Sequence, residues 1–170
     1  MNLKVRKMVA DDIQALHTSF GLGQGWEGMS VEKFTNYYEE QASGIRQVLI
    51  ATIADKAVGY LTLIPNDEVG PFANKQLPTV KDFNVLIKFR GLGVGSRLMD
   101  EVERIAKELA DEICLSVGLY TDYGTAQRMY VKRGYVPDGS GVWHHNRNLH
   151  PYEACVNDDD LVLYMSKRLF

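Results

Sequence analysis

A chain of 170 residues fits one domain and can bury a sizeable core. Its apolar fraction of 45% and charged fraction of 24% are ordinary for a globular protein, and a net charge of −3 argues against a nucleic-acid partner, which requires a basic face. The N-terminal residues lack the apolar stretch of a signal peptide, and no segment approaches the ~20 apolar residues of a membrane span. We therefore expect a soluble, cytoplasmic protein with one domain, residues 1–170, and no membrane partner.

The first half of the chain alternates between helical and β-rich patterns. Leu3–Met8 alternates apolar and basic residues, which predicts a strand with one buried face. Two helices should follow, because Asp11 and Ser30 each supply an N-terminal signal. Three strands come next, with a hairpin turn at Asp55-Lys56 between the first two. The predicted elements are helices ending near Phe20 and Ala42, and strands over Val48–Ala54, Ala57–Ile64 and Thr79–Ile87.

From Ser96 onward the apolar period becomes helical and predicts an amphipathic helix. Its apolar face comprises Leu98, Met99, Val102, Ile105, Ala106 and Leu109. Ile113–Tyr120 is an unbroken apolar run, which is typical of a strand covered on both faces. A further helix and two strands complete an α/β (α+β) order, with a strand–helix–strand crossover in the second half. These last elements are predicted over Thr125–Lys132, Gly141–Asn148 and Leu161–Ser166.

Three alternating glycines lie between the strand predicted over Thr79–Ile87 and this amphipathic helix. The segment reads Arg90-Gly91-Leu92-Gly93-Val94-Gly95-Ser96. Glycines let successive backbone N–H groups turn toward an anion, and a helix start adds unpaired amides. The segment is neither a Walker A sequence nor a G-x-G-x-x-G fingerprint. It predicts a pyrophosphate site, to which Arg90 could add a charged contact, or else a tight turn whose glycines serve packing.

Two motifs at their expected separation resemble one known family. Arg90-x-x-Gly93-x-Gly95 resembles the acetyl-CoA signature of the GNAT superfamily of N-acetyltransferases, and Ala126–Tyr135 is similar to that family's A-x-x-x-Y-x-x-x-G-F/Y segment. Asp82–Val85 and Asp160–Lys167 resemble the family's fourth and final strands. The resemblance implies a single GNAT-like domain with a mixed, mostly antiparallel central sheet. It also implies that strands 4 and 5 splay apart and that helices cover both faces.

The resemblance further implies the reaction and its co-substrate. A GNAT enzyme moves an acetyl group from acetyl-CoA directly to a primary amine in a ternary complex, without a metal. The backbone of Val85 and Ile87 would pair with the pantetheine arm as with an added strand. The loop amides and Arg90 would hold the pyrophosphate. The implied acetyl-CoA-binding residues are therefore Val85, Ile87, Arg90, Gly91, Leu92, Gly93, Val94, Gly95 and Ser96.

Catalytic groups carry over at two positions. Tyr130 matches the family tyrosine near the thioester sulfur, where a phenol can donate to the departing thiolate. Outside the motif, Tyr130 would be interpreted as a core tyrosine on an apolar helix face. Asp82 matches a carboxylate used as a base in some members, although Lys81 stands where those members often carry Glu. An exposed aspartate at the start of a strand is the alternative interpretation of Asp82.

Loop residues supply the remaining candidates for binding the acceptor. The segment Gly21–Gly25 borders the acceptor site by family analogy, so Trp26 and Glu27 are predicted to bind substrate. Trp26 could equally serve as an apolar anchor for a loop. Asp67 and Glu68 are further carboxylates that could bind or deprotonate the substrate. The acceptor is a small-molecule or peptide amine whose identity the sequence leaves open, and a homodimer is compatible with the family.

One departure from the family keeps a non-catalytic alternative open. The family often carries Asn three residues before the motif alanine, where it helps to position the pantetheine arm, and this chain has Tyr123 there. Together with Lys81, this departure leaves an acyl-CoA-binding sensor as the alternative to an enzyme. Gly118, inside the predicted fifth strand, indicates a close approach or a bulge.

The histidines and cysteines do not predict a metal site. His144, His145, His150 and Cys155 match none of the usual ligand spacings and are interpreted as polar residues of an edge strand and loop. The run Asp158-Asp159-Asp160 is interpreted as a solvated turn before the last strand.

Overall fold

The computed structural model describes residues 2–170 and contains one mixed sheet. Its strands are β1 (Leu3–Lys7), β2 (Gln47–Ile53), β3 (Lys56–Ile64), β4 (Thr79–Val85), β5 (Glu112–Gly118), β6 (Val136–His144), β7 (Arg147–Asn148) and β8 (Leu161–Arg168). They lie in the order β1-β2-β3-β4-β5-β8-β6-β7. The pairs β1–β2, β2–β3, β5–β8, β6–β8 and β6–β7 are antiparallel, whereas β4 and β5 run parallel. This arrangement confirms the predicted mixed, mostly antiparallel α/β fold.

The helices also follow the predicted order. They are α1 (Asp12–Leu16), which continues as a π-helical segment over His17–Leu22, then α2 (Val31–Ala42), α3 (Val94–Lys107) and α4 (Gly124–Lys132). The predicted N-cap of α2 is confirmed, because the Ser30 hydroxyl accepts the Lys33 N–H at 3.1 Å. Among the helices of residues 2–170, none has the length and apolar character needed to cross a membrane.

The first helix runs further than predicted because its last turn widens. The glycine-rich sequence after Phe20 was expected to end it, but the π-helical segment extends to Leu22. Gly21 lies inside this segment, where an added Cβ would come within 2.6 Å of the Met29 carbonyl oxygen. His17 reaches the same carbonyl oxygen through Nδ1 at 2.8 Å. Glycine is therefore needed here for a close approach between two backbone segments rather than for a break.

The amphipathic face predicted for α3 is largely confirmed. Leu98, Met99, Val102 and Ala106 are fully buried, and Ile105 is almost so. Leu109 was also predicted on this face, but α3 ends at Lys107 and Leu109 lies in the following turn. Its side chain is half-exposed there. The apolar period of the sequence alone did not show that α3 ends at Lys107.

Two hairpins close through two-residue turns that lack glycine. The β2–β3 turn is Ala54-Asp55, one residue earlier than predicted, with φ values of 47° and 61°. The β6–β7 turn is His145-Asn146, with φ values of 49° and 60°. Positive φ at both central positions matches the right-handed twist of the flanking strands. The single strand predicted over Gly141–Asn148 is therefore wrong, because this turn folds it back as a hairpin.

The chain divides into two compact units. The first contains the residues up to Ile64 together with Lys81–Arg104, and the second contains Pro65–Val80 and Ile105–Phe170. The two residue pairs that join β4 to β5, Thr79–Cys114 and Val80–Leu115, belong to the second unit.

In the first unit, helices cover both faces of the sheet. Adjacent residues of a strand point to opposite faces. Gly59 of β3 faces α3, because a Cβ there would lie 3.1 Å from Leu98. The next residue, Tyr60, faces the other side, where its ring packs edge-on against Phe20 and Phe34 at centroid distances of 5.1 and 5.6 Å. The predicted placement of helices on both faces is thus confirmed within this unit.

The second unit has its own apolar cluster around β5 and β8. Phe72, Cys114 and Tyr164 are buried together, and the Phe72 and Tyr164 rings meet edge-on at 6.1 Å. Burial raises the pKa of the Cys114 thiol to about 12, and nearby Glu112 adds to this effect. Gly70 lies against this cluster, since a Cβ there would come within 2.6 Å of the Tyr164 hydroxyl. Cys114 is therefore a core residue, as its apolar neighbours predict.

Candidate active site

The glycine loop between β4 and α3 exposes an open stretch of backbone. A single 3₁₀ turn over Ile87–Phe89 follows β4, and α3 begins at Val94. Gly91 and Gly93 have φ values of 75° and 83°, the left-handed conformation that favours glycine. Both glycines and Leu92 between them are exposed. A Cβ on either glycine would have no neighbour within 4 Å, so packing does not explain these glycines, whereas an exposed anion site would.

The start of α3 adds unpaired amides to this loop. The Arg97 N–H donates to the Gly93 carbonyl at 3.0 Å, which is the first bond of the helix. The helix begins at Val94, two residues before Ser96, where the helical apolar period was predicted to start. The amides of Val94, Gly95 and Ser96 precede this first bond and have no acceptor within the helix. With the positive end of the helix dipole, they make this terminus able to hold phosphate oxygens.

The strand before the loop is shorter than the sequence predicted. β4 ends at Val85, and Ile87 lies in the 3₁₀ turn rather than on a strand. The Leu86 N–H still donates to the Val58 carbonyl of β3 at 2.9 Å, and the chain then leaves the sheet in a turn that the Phe89 N–H closes onto the Leu86 carbonyl at 2.8 Å. The Ile87 side chain is 59% exposed. The prediction that Ile87 belongs to the strand is therefore wrong, although its N–H can still serve a ligand.

The backbone groups assigned to the pantetheine arm already have partners in the chain. The Arg90 Nε donates to the Val85 carbonyl at 3.1 Å. The Ile87 N–H donates to the Gln24 side-chain oxygen at 3.3 Å. Arg90 itself is exposed, and its guanidinium carbon lies 5.8 Å from the centroid of the Trp26 ring. Each of these partners is a side chain, so each contact can be exchanged for one with a ligand.

Trp26 is tied to the helix that precedes it. Its ring lies 5.6 Å from that of Phe20, and its backbone N–H donates to the Phe20 carbonyl at 3.2 Å. These contacts favour the interpretation of Trp26 as an anchor, and the residue is half-buried. The neighbouring Glu27 is exposed.

Asp82 is the centre of a polar cluster and not an exposed residue at the start of a strand. Its Oδ2 accepts the Tyr37 hydroxyl at 2.7 Å and the Tyr60 hydroxyl at 3.0 Å, and it pairs with the Lys33 ammonium at 2.8 Å. Its Oδ1 accepts the Asn84 amide at 2.8 Å. The Asp82 side chain is 21% exposed. We call these five residues the Asp82 cluster.

The electrostatics of the cluster keep its tyrosines protonated. Burial raises the pKa of both Tyr37 and Tyr60, and the negative charge of Asp82 raises each further. Asp82 has a φ of 48°, a left-handed conformation that aspartate tolerates better than most residues. Sequence reasoning singled out Asp82 but missed its partners. A signal was present in α2, where Lys33 and Tyr37 are four residues apart and so lie on one face.

The other acidic loop residues differ in exposure. Asp67 is 4% exposed, and its Oδ1 accepts the Val69 N–H at 3.3 Å. Glu68 is exposed. Asp67 is therefore oriented by its own loop, whereas Glu68 remains open to solvent.

Tyr130 lies in α4 and is 5% exposed. Its ring packs against that of Tyr135 at a centroid distance of 5.7 Å. Burial raises the pKa of the Tyr130 hydroxyl. A buried phenol that stays protonated is suited to donate to a ligand.

Tyr123, which replaces the usual asparagine, packs onto β5. A Cβ at Gly118 would lie 2.3 Å from the Tyr123 ring, so the predicted close approach at Gly118 is confirmed. The Tyr123 hydroxyl donates to an Asp159 oxygen at 2.7 Å, and the Tyr120 hydroxyl donates to the same oxygen at 2.6 Å. The Gln127 amide donates to the Gly118 carbonyl at 2.8 Å. Tyr123 therefore has a fixed structural position at the end of β5.

Gly118→Ala should lower the free energy of unfolding by about 1–3 kcal/mol, because the added methyl group would collide with the Tyr123 ring. In the background Tyr123→Ala the same substitution should cost much less, since the ring is absent. Chemical denaturation of the four proteins of this double-mutant cycle measures the coupling. Equal costs in both backgrounds would show that the ring does not set the requirement for glycine.

Two surface cavities lie outside the predicted catalytic residues. One, of about 450 Å³, is in the first unit beside the glycine loop and is lined by Thr18, Gln24, Lys88 and their neighbours. The other, of about 600 Å³, is in the second unit and is lined by Gly139–Val142 and adjacent residues. Neither Asp82 nor Tyr130 lines either cavity.

Comparison with known proteins identifies the family. Among curated proteins, no sequence matches the chain significantly. In fold it is similar to the ribosomal-protein-alanine N-acetyltransferase of Brucella melitensis (TM-score 0.72, 17% identity, 98% of this chain and 99% of that chain). It is similar to Ard1 of Thermoplasma volcanium (TM-score 0.70, 20% identity, 100% of this chain and 99% of that chain). It is also similar to the PaiA N-acetyltransferase of Thermoplasma acidophilum, solved with coenzyme A (TM-score 0.65, 14% identity, 99% of this chain and 99% of that chain). At these identities the likeness concerns the fold alone. The model of the acetyltransferase (GNAT) family matches residues 12–135, and the chain belongs to this family of acyltransferases.

Proposed function

We propose that residues 1–170 form one catalytic domain that transfers an acetyl group from acetyl-CoA to a primary amine, directly and within a ternary complex. The observation that carries this proposal is the glycine loop. Two exposed left-handed glycines lead into a helix of 14 residues whose first amides have no acceptor within the helix, at the position of the family's acetyl-CoA signature. This arrangement supplies donors for a pyrophosphate without a metal or a lysine.

Binding of acetyl-CoA would exchange two side-chain contacts for ligand contacts. One amide oxygen of the pantetheine arm would take the Ile87 N–H from Gln24, and one amide N–H would take the Val85 carbonyl from Arg90. Arg90 would then be released to reach a phosphate oxygen, where a charge-assisted hydrogen bond is stronger than its bond to a carbonyl. Arg90 would thus bind the Val85 carbonyl in the free protein and a phosphate oxygen of the ligand in the complex.

Tyr130 would protonate the leaving group. The amine nitrogen attacks the acetyl carbon and then gives its second proton to solvent, the carbon–sulfur bond breaks, and the sulfur leaves as a thiolate that takes the proton of the phenol. Solvent then returns a proton to the phenolate. The raised pKa of the Tyr130 phenol supports this role, because the proton is retained until charge develops on sulfur.

Asp82 would accept the proton of the attacking ammonium. Its four donors hold the carboxylate in a fixed orientation, and the 21% exposure of the side chain leaves an approach open. The exposed surface of Trp26 and the carboxylate of Glu27 are proposed to contact the acceptor.

Asp82→Asn should lower kcat by about 100-fold, the lower part of the range for a lost general base. The free energy of unfolding should fall by about 1–3 kcal/mol, because Lys33 loses its counter-ion and two tyrosines lose a charged acceptor. Lys33→Met is the matched control, since it disturbs the cluster but keeps the carboxylate. A kcat in Asp82→Asn as high as that of Lys33→Met would assign the base to another group.

The experiment that tests the function is thiol release from acetyl-CoA in the presence of separate amines: polyamines, amino acids and peptides with a free N-terminus. Release that depends on one of these classes would establish the enzyme and name its acceptor. Micromolar acetyl-CoA binding without turnover on any amine would favour the acyl-CoA sensor instead. An absence of binding would overturn both.

A further inference from the structure

Two adjacent histidines meet at the tip of the β6–β7 hairpin. His144 ends β6, and His145 occupies the first position of the two-residue turn, with a φ of 49°. Their rings lie only 4.0 Å apart between centroids, at an angle of 39°. The His144 side chain is 13% exposed, whereas that of His145 is 64% exposed. The tight turn therefore holds two imidazoles side by side at the surface, one fixed and one able to move.

The acidic run before β8 supplies a different partner from each aspartate. Asp158 lies 3.2 Å from the His144 Nε2, and Asp160 lies 3.0 Å from the His145 Nδ1. Asp159 turns away and accepts two tyrosine hydroxyls. The Asp158 carboxylate also accepts the Asp160 N–H at 3.0 Å, which orients it. Each aspartate of the run thus has its own side-chain partner, which the predicted solvated turn did not include.

Three of these side chains can share one cation. One ring nitrogen of each histidine and one oxygen of Asp158 lie within 4.8 Å of one another. Ligand atoms on a tetrahedral zinc ion are about 3.4 Å apart, so shifts of roughly 1 Å would bring the set together. The exposure of His145 at a turn allows such a shift. If His145 binds the ion through Nε2, Asp160, 3.0 Å from Nδ1, supplies the carboxylate that commonly orients a ligating histidine.

We propose that His144, His145 and Asp158 bind a divalent transition-metal ion of the Zn²⁺ type, with Asp160 orienting His145. Two imidazoles and one carboxylate suit such an ion, and the fourth position stays open to water. The bound ion would join the β6–β7 hairpin to the segment before β8. His150 and Cys155 are not part of this group. The proposal is independent of acetyl transfer.

Equilibrium dialysis against ZnSO₄ tests the site, with tag-free protein that has been stripped by a chelator. The wild type should bind one Zn²⁺ per chain, and its thermal unfolding midpoint should rise with added Zn²⁺ because the folded state alone holds the ion. His145→Ala, at an exposed position, and Asp158→Asn should each weaken binding by at least about tenfold. Asp160→Asn should weaken it by about 10-fold, the low end of the effect of a lost orienting group. The rise in midpoint should disappear in His145→Ala.

Two matched variants separate this site from weak binding at the surface. His150→Ala removes a histidine outside the group, and Asp159→Asn removes a charge from the same acidic run. Both should bind Zn²⁺ as the wild type does. The proposal is overturned if the wild type binds no Zn²⁺ at 100 µM, or if His145→Ala and His150→Ala have the same effect on affinity.

Discussion

Gly93→Ala should weaken acetyl-CoA binding by at least about tenfold, or 1.4 kcal/mol, while the protein stays folded. An alanine at a φ of 83° costs about 1 kcal/mol, and the loop can relieve that strain only by rotating its backbone. Rotation turns the neighbouring amides away from the pyrophosphate. The added Cβ has no neighbour within 4 Å, so loss of affinity cannot result from a packing clash in the free protein. Isothermal titration with acetyl-CoA measures the change.

Gly44→Ala provides the matched control for this substitution. Gly44 follows α2, has a φ of 80°, and likewise has no neighbour within 4 Å of an added Cβ. Both variants should lose about 1 kcal/mol of unfolding free energy. Gly44→Ala should bind acetyl-CoA as tightly as the wild type. Equal affinities in the two variants would mean that the glycine loop does not hold the ligand.

Tyr130→Phe should reduce kcat by about 100-fold, with little change in the affinity for acetyl-CoA. The substitution deletes one hydroxyl group and keeps the ring that packs against Tyr135, so the unfolding midpoint should stay close to that of the wild type. Because its pKa is raised, Tyr130 stays protonated above pH 10, the ordinary pKa of a tyrosine. Deprotonation of Tyr130 should therefore not lower the rate of the wild type below pH 10.

Tyr164→Phe is the control for Tyr130→Phe. Tyr164 is also 5% exposed, and burial raises its pKa as well, but it lies in the apolar cluster with Phe72 and Cys114. Its substitution should leave kcat unchanged. A comparable fall in both variants would indicate a general effect on the second unit, and an unchanged kcat in Tyr130→Phe would remove Tyr130 from the mechanism.

Local sequence patterns were sufficient for the glycine loop and for the order of elements. The loop was visible because its function depends on adjacent residues: glycines, a helix start and an arginine. The apolar period predicted α3 because it too depends on residues that are close in sequence. The two motifs then indicated the GNAT family, and the match to the GNAT family model confirms that assignment.

The Asp82 cluster could not be predicted because its members come from three separate elements. Tyr37 lies on α2, Tyr60 on β3 and Asp82 on β4, and their positions in sequence give no sign that one carboxylate serves both hydroxyls. Element ends failed for a related reason. The ends near Phe20 and Ile87 depend on contacts with distant residues, which override the local preference for helix or strand.

The unequal burial of the two cysteines has a practical consequence for labelling. A thiol reagent needs the thiolate, and Cys114 is buried with a pKa of about 12, so it stays unreactive at neutral pH. Cys155 is exposed and borders the cavity lined by Gly139–Val142. The native chain therefore carries a single attachment point for a maleimide dye or a spin label, without any cysteine having to be removed. A probe placed there would report on the β6–β7 hairpin and its neighbours.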